Sequence, residues 1–204
     1  MLLRKIKVKR QACIGITFLT GMFFFSCSTE SHKSVGLYNV DSLIKTQTGY
    51  LISHKAAVHK KAVLNGVEKV TMATPKNAEA WNEELAIFFE LDVVNKPIHR
   101  GVYSIGNHAD PKSNLSVKSF TTTEDLPVKY LKIYYHDSLD QLRKIEAQYD
   151  EENALYSSKR FLTMEFENIY GKTMLTAYSI AGGQKMFLDD SVRYTIDSSI
   201  ALSK

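Results

Sequence analysis

Arg160-Phe-Leu-Thr-Met-Glu-Phe-Glu167 is the stretch that decides the fold. Leu162, Met164 and Phe166 alternate with Thr163, Glu165 and Glu167. Successive strand side chains point to opposite faces, so this alternation describes a strand with one buried face and one wetted face. The same period recurs on both sides. Within 128–136, Leu131, Ile133 and Tyr135 alternate with Tyr130, Lys132, Tyr134 and His136. Within 191–200, Val192, Tyr194 and Ile196 alternate with Arg193, Thr195 and Asp197. Strands near 115–122, 142–149 and 173–180 fill the gaps, giving about six. The expected connections are short: Asp137-Ser138, Asn153, Asn168 to Gly171, Gly182-Gly183 and Asp189-Asp190. Alternation with short turns implies an antiparallel meander with one buried face.

Upstream the period changes. Val40, Leu43, Ile44, Gln47, Leu51 and His54 fall on one face of a helix over 41–55, with Asp41 as its N-cap. Asn65-Gly66 then separates two short strand-like runs. That dipeptide suits a type I′ turn, which needs positive φ at both central positions, so 58–64 and 67–73 are expected to form a hairpin. The competing reading extends the first helix through the Ala/Lys-rich part, with Gly66 as its C-cap. Thr74-Pro75 opens a second helix, whose stripe is Trp81, Leu85, Phe88 and Phe89, with Glu79, Asn82, Glu83 and Glu90 facing water. It is expected to stop near Asp92, before Asn95-Lys96-Pro97. Residues 98–113 carry Gly101, Gly106, Asn107 and Pro111 and are expected to be loop.

These elements predict one α+β domain over 37–204: N-terminal helices and a β-hairpin, then a curved antiparallel meander of about six strands. Both helices would pack on one sheet face, because an apolar stripe and an apolar face each need a partner.

The first 36 residues concern address. Residues 1–11 carry Arg4, Lys5, Lys7, Lys9 and Arg10 and no acid, and an apolar run follows from Ala12 to Phe25. A basic region, a short apolar region and a small residue, Ser26, describe a secretory signal peptide over 1–26. An uncleaved anchor is the alternative, but a membrane-spanning helix needs about 20 apolar residues. Phe24-Phe25-Ser26-Cys27 resembles the lipobox of bacterial lipoproteins, although that family prefers Leu where Phe24 stands. The resemblance implies cleavage before Cys27, a lipid on its sulfur and an acyl chain on its new amino group. Residues 27–36 would then be a lipidated tether. Two acyl chains give stable membrane attachment where one gives only marginal binding. The remaining alternative is a secreted protein in which Cys27 is an idle thiol.

A second resemblance is looser. The run from Trp81 through Asp92-Val-Val-Asn95-Lys96-Pro97 to Gly101-Val-Tyr103 resembles a segment of Bacteroidota lipoproteins of unknown function. It implies the same address and no activity.

Charge and cysteine content narrow the function classes. The chain has 26 Lys+Arg and 22 Asp+Glu, a net charge of +4. Five of the basic residues lie in the leader, so the processed chain keeps 21 against 22 and is slightly acidic. It therefore has no bulk basic charge of the kind that favours nucleic acid. Of the two cysteines, Cys13 leaves with the leader and Cys27 would be lipidated. No disulfide, thiolate nucleophile or Cys metal ligand is then expected. Eleven Tyr and ten Phe supply large packing area instead.

Possible chemical motifs are weak. His32, His54, His59, His99, His108 and His136 show no metal-ligand spacing, so no metal or cofactor is expected. His54, on the helical stripe, is expected in the core. His136-Asp137 could form a general base, but adjacent strand residues point apart. Glu146, Asp150, Glu151 and Glu152 suit a solvated rim near a turn better than acid/base or calcium chemistry. Gly182-Gly183-Gln184-Lys185 lacks phosphate-loop spacing and suits a hairpin turn. No catalytic residue is assigned.

Two expectations for function follow. The first is a lipid-anchored cell-envelope binding or carrier module for an apolar ligand or envelope component, with outer-membrane attachment. A curved sheet capped by helices resembles envelope lipoprotein carriers of the half-barrel type, and Tyr130 and Tyr134 would line a pocket if the second sheet face were covered. The alternative is an accessory or structural subunit of an envelope protein complex.

Overall fold

A computed structural model describes residues 38–186 and 191–203. The expected signal peptide and tether, Cys27 and the Asp189-Asp190 connection lie outside the described residues. All described residues belong to one unit within Val35–Lys204.

The chain begins with helix α1, Val40–Ser53. Its N-cap is Asn39 rather than Asp41: Asn39 Oδ1 accepts the Ser42 N–H at 2.7 Å, while Asp41 pairs with Lys45 one turn on. Val40, Ile44, Gln47 and Leu51 are buried, as the helical period predicts, while Leu43 is half-buried and Thr48, outside the expected stripe, is buried too. His54 is not a core residue. It is half-buried just past the helix, and its ring stacks 6.3 Å from that of Tyr170.

The hairpin reading holds, and the helical extension does not. Strands β1, Ala57–Leu64, and β2, Val67–Ala73, pair through the two-residue turn, with Asn65 and Gly66 at φ 47° and 87°. Both angles are those that a type I′ turn demands.

The second helix is shorter and more broken than its sequence suggests. It starts at α2, Ala78–Glu84, gives way to α3, Ala86–Phe89, and tightens into 3₁₀ turns at Glu90–Asn95 and Pro97–His99. The buried residues explain the tightening. Leu91, Val93 and Val94 are all buried, and Leu91 and Val94 align at the three-residue spacing of a 3₁₀ turn. Trp81, Leu85 and Phe88 are fully buried, and Glu79, Asn82, Glu83 and Glu90 are exposed, as expected.

Seven further strands follow: β3 Ser104–Ala109, β4 Ser116–Thr121, β5 Val128–Tyr135, β6 Leu142–Glu152, β7 Tyr156–Ile169, β8 Lys172–Met186 and β9 Val192–Ala201. Two corrections are needed. Residues 104–109, expected to be loop, form the outermost strand, and the sheet has nine strands in all. Gly182 and Gly183 make no turn. They lie within β8, opposite Arg160 and Lys159 of β7. A Cβ on Gly182 would meet the Lys159 carbonyl oxygen at 2.7 Å and the Tyr194 hydroxyl at 3.0 Å. The glycine therefore serves close approach within the sheet, a role that local sequence does not separate from a turn.

The sheet is open and antiparallel, in the order β2-β1-β9-β8-β7-β6-β5-β4-β3. The meander runs β3 to β9 in sequence, and the hairpin adds to the free side of β9. Leu162, Met164 and Phe166 of β7 lie in the core with Leu131, Ile145 and Leu175, while Glu165 and Glu167 are exposed. α1 packs on α2, α3 and β8, so the helices cover this face. Thr176 is an extra residue in β8, since Glu165 pairs with Ala177 but Phe166 with Leu175. The amide of Gln47 reaches this bulge. Its Nε2 donates to the Thr173 carbonyl at 3.0 Å, and its Oε1 accepts from the Leu175 N–H at 2.8 Å.

Candidate functional site

Length creates the opening. α1 has 14 residues and spans about 21 Å at helical rise, whereas β7, also 14 residues, spans about 46 Å. The helices therefore cover only part of the strands they cross. Past α3 the helix-facing side of β6 to β9 stays open as a groove of about 620 Å³. Its floor is Tyr149 of β6, Arg160 of β7, Ile180 of β8, and Tyr194 and Ile196 of β9. Ala86, Ile87 and Glu90 form the helical wall, and Glu151 borders it.

Strand alternation places each of these side chains. Arg160 is in phase with Leu162 and Met164, so a charged residue sits on the apolar face where that face leaves the helices. Its guanidinium lies 5.6 Å from the Tyr149 ring centre, and its Nη2 is 3.3 Å from Glu151 Oε2. Burial raises the Tyr149 hydroxyl pKa, the nearby Glu90 and Glu151 charges add to the rise, and Arg160 opposes it. The groove thus has an isoleucine and tyrosine floor with one ion pair at its side.

Beyond Ile180 and Ile196 the same face holds a polar cluster. Lys60 Nζ of β1 lies 2.6 Å from Glu84 Oε1 of α2, and the Tyr178 hydroxyl of β8 donates to the same carboxylate. Ser198 is buried beside them on β9, and the Tyr178 ring meets Phe88 edge-on at 5.7 Å. Burial, then the Glu84 carboxylate, drives the Tyr178 pKa well above its ordinary value. A tyrosine that acts as base or nucleophile needs the opposite shift. The cluster suits a clamp that ties α2 to the sheet.

Among the described residues no helix lies on the opposite sheet face. Tyr130 and Tyr134, expected to line a pocket if this face were covered, point to this side. Lysines cover them instead: Lys132 Nζ stands 5.0 Å from the Tyr130 ring centre and Lys144 Nζ 4.2 Å from that of Tyr134. The Tyr134 hydroxyl donates to Glu146 Oε2 at 2.5 Å, and Lys144 Nζ lies 2.8 Å from Glu146 Oε1. Burial opposes ionisation of Glu146, but Lys144 and the Tyr134 hydroxyl outweigh it and hold the carboxyl below its ordinary value.

Asp150, Glu151 and Glu152 of the acidic stretch end β6 beside the turn at 153–155, as expected, and only Glu146 lies further in. Alternation sends Glu146 and Asp150 to the open face and Glu151 to the groove. A trough of about 750 Å³ on the open face, over Val63, Phe161, Ala181 and Thr195, has no helical wall.

Among the described residues no three His, Cys, Asp or Glu side chains converge to hold a metal ion. His136 is half-buried and Asp137 exposed, with the His136 N–H donating to the Gln141 carbonyl. Among the described residues no helix is long and apolar enough to cross a membrane. Cys27, the one site residue assigned from sequence, lies outside the described residues. The groove residues escaped the sequence reading, although Arg160 in phase with Leu162 was a signal. No protein-family model, curated protein or solved structure matches this chain.

Two tyrosines, Tyr38 half-buried and Tyr103 buried, give a pH prediction. Burial and the Asp140 charge push Tyr38 up to about 12, and burial pushes Tyr103, whose hydroxyl donates to the Val128 carbonyl at 2.9 Å, up to about 12. A folded pKa above the unfolded value means that the folded state holds its proton longer. Stability is then intact below about pH 10 and falls as pH rises toward 12. Urea unfolding at pH 8 and pH 11 is expected to show this loss. Tyr103→Phe is expected to remove about 1 kcal/mol of it at pH 11. An unchanged alkaline loss in Tyr103→Phe would remove Tyr103 from its causes.

Proposed function

We propose that this protein is a lipid-anchored cell-envelope module, held to the outer membrane through Cys27, whose domain binds an apolar or amphipathic ligand without chemical conversion. The observation that carries the binding role is the groove past α3. It has an Ile180, Ile196, Tyr149 and Tyr194 floor and is about as large as many small-molecule sites. The Arg160–Glu151 pair at its side suits a polar headgroup beside an apolar tail. The lipobox-like Phe24-Phe25-Ser26-Cys27 supports the address.

One preparation tests both parts. The full chain is labelled with a clickable fatty acid in a bacterial host, extracted in mild detergent and weighed by native mass spectrometry. Wild type is expected to be labelled and membrane-bound, and Cys27→Ser unlabelled. Wild type is also expected to carry a bound lipid beyond the covalent one. Ile180→Arg, which puts a charged side chain on the groove floor, is expected to cut that occupancy at least about tenfold, the effect of roughly 1.4 kcal/mol. Equal labelling of Cys27→Ser refutes the anchor, and equal lipid occupancy in Ile180→Arg refutes the groove.

The second reading, an accessory subunit of an envelope complex, rests on Ile98 and Ile105. Both are exposed, Ile98 in the Pro97–His99 turn and Ile105 on the edge strand β3. Scattered exposed apolar residues are common, so the groove takes precedence.

A further inference from the structure

The two edges of the sheet differ. β3 presents Ser104, Gly106, Asn107 and His108 beside a single exposed isoleucine, Ile105. β2 presents Val67-Glu-Lys-Val-Thr-Met-Ala73, every residue of it exposed. Val67, Val70 and Met72 are 73%, 67% and 70% exposed. Edge strands usually carry proline, a bulge or inward charge that blocks further pairing. β2 has no proline, and its pairing with β1 runs from Val58↔Ala73 to Leu64↔Val67 without a register shift; its one charge on the helix-facing side, Lys69, is solvent-exposed beyond the helices.

The type I′ turn fixes which backbone groups face outward. Leu64 and Val67 are its first and last residues and exchange hydrogen bonds, as do alternate pairs onward: Ala62↔Lys69, Lys60↔Thr71 and Val58↔Ala73. The N–H and C=O groups of Glu68, Val70 and Met72 therefore point away from β1. They form three donor–acceptor pairs spaced two residues apart, the template for an antiparallel strand.

We propose that a second copy of this chain occupies the edge, through antiparallel β2–β2 pairing about a twofold axis at Val70. A twofold interface must be self-complementary, and this register is. Val70 pairs with Val70 of the second copy and Glu68 with its Met72, so all six outward groups of each copy are used in six hydrogen bonds. Lys69 faces Thr71 of the second copy and Val67 faces its Ala73, so no like charges oppose each other. Registers centred on Glu68 or Lys69 would place two like charges on the axis, which destabilises a pair. On the open face Val70 and Met72 of both copies would form one apolar strip, next to Lys61 and His59 of β1. The two sheets would become one of eighteen strands. This inference does not depend on the groove or on its ligand.

Sedimentation equilibrium of the full chain in density-matched detergent tests it. Wild type is expected at twice the single-chain mass. Val70→Lys sets two ammonium groups on the axis and is expected to weaken association at least about tenfold. Val70→Pro removes an outward N–H, which an edge strand tolerates, and is expected to do the same while keeping the wild-type far-UV circular dichroism spectrum. Ile105→Lys on the opposite edge is expected to leave the mass unchanged. A wild type of single-chain mass at every concentration overturns the proposal, an outcome that an edge reserved for a different partner would also give. Persistent dimers in both Val70 variants, or monomers in Ile105→Lys, overturn it as well.

Discussion

Replacing Gln47 by leucine is expected to lower the unfolding free energy by about 3 kcal/mol, although the new side chain is apolar and similar in size. Gln47 is 2% exposed, and its amide stands where a neighbouring strand would otherwise stand, accepting from Leu175 N–H and donating to the Thr173 carbonyl. Thr176 breaks the register of β8 with β7 beside these groups. Leucine leaves one donor and one acceptor unpaired in the interior, each costing about 1–3 kcal/mol. For a domain of this size the loss corresponds to a fall of roughly 6–12 °C in Tm. Gln47→Glu is expected to cost at least as much, because a carboxylate cannot donate to Thr173 and would carry charge into the core. Lys45→Ala is the control, since its pairing with Asp41 is exposed and contributes about 0.5 kcal/mol at most. Thermal unfolding of the three variants separates the outcomes. A Gln47→Leu variant as stable as Lys45→Ala would show that the bulge does not need the amide.

Glu84→Ala is expected to cost about 2–3 kcal/mol, and Glu84→Gln about 1 kcal/mol. The Glu84 side chain is 14% exposed and joins Lys60 to the Tyr178 hydroxyl. Alanine leaves the Tyr178 hydroxyl without its acceptor on a nearly inaccessible side chain. The Lys60 ammonium, 30% exposed, can turn to water, which keeps the loss below that of a fully buried pair. Glutamine restores an acceptor but no charge. Tyr178→Phe removes the group that needs the carboxylate, so it should mask part of the Glu84→Ala cost. A double-mutant cycle is expected to return about 1–2 kcal/mol of coupling. Additive single effects would show that α2 is held by its apolar stripe alone. Each variant should also be tested for ligand retention. A clamp that ties α2 to the sheet sets the position of Ile87 at the groove wall, so Glu84→Ala is expected to lower lipid occupancy together with stability.

Most elements were legible because their signals are local. Alternation in 160–167 needs only the two-residue period of a strand and a face that avoids water. Asn65-Gly66 needs only the φ angles of one turn. The misplaced elements depended on neighbours. Ser104–Ala109 contains Gly106 and Asn107 and has turn-like composition, yet it becomes a strand because β4 offers it a free edge. Gly182-Gly183 looks like a turn, yet both residues stay extended because strands on either side hold them. The second helix tightens after Phe89 because Leu91, Val93 and Val94 must all reach the core.

The candidate site was less legible for the same reason. The leader and Cys27 remain expectations, drawn from a signal that is read along the chain. The groove is made by a difference in length between elements far apart in sequence: Ile87 on the helical wall and Ile180 and Ile196 on the floor. Gln47 was visible as a polar residue in an apolar helical stripe, and Arg160 as a charged residue in an apolar strand phase. Each is now explained by something distant, the bulge at Thr176 for Gln47 and the end of helical cover for Arg160.

By itself the sequence determined the antiparallel α+β class, the hairpin turn and the sheet face that faces the core, and it raised the expectation of a lipid address. These follow from side-chain period, turn dihedrals and a linear signal. Only the tertiary structure decided how many strands the sheet has, that Gly182-Gly183 runs straight through it, where the helices stop covering it and which edge is left open. Those outcomes depend on the relative lengths and register of packed elements, and hydrogen-bond geometry across more than a hundred residues leaves no local trace in the chain.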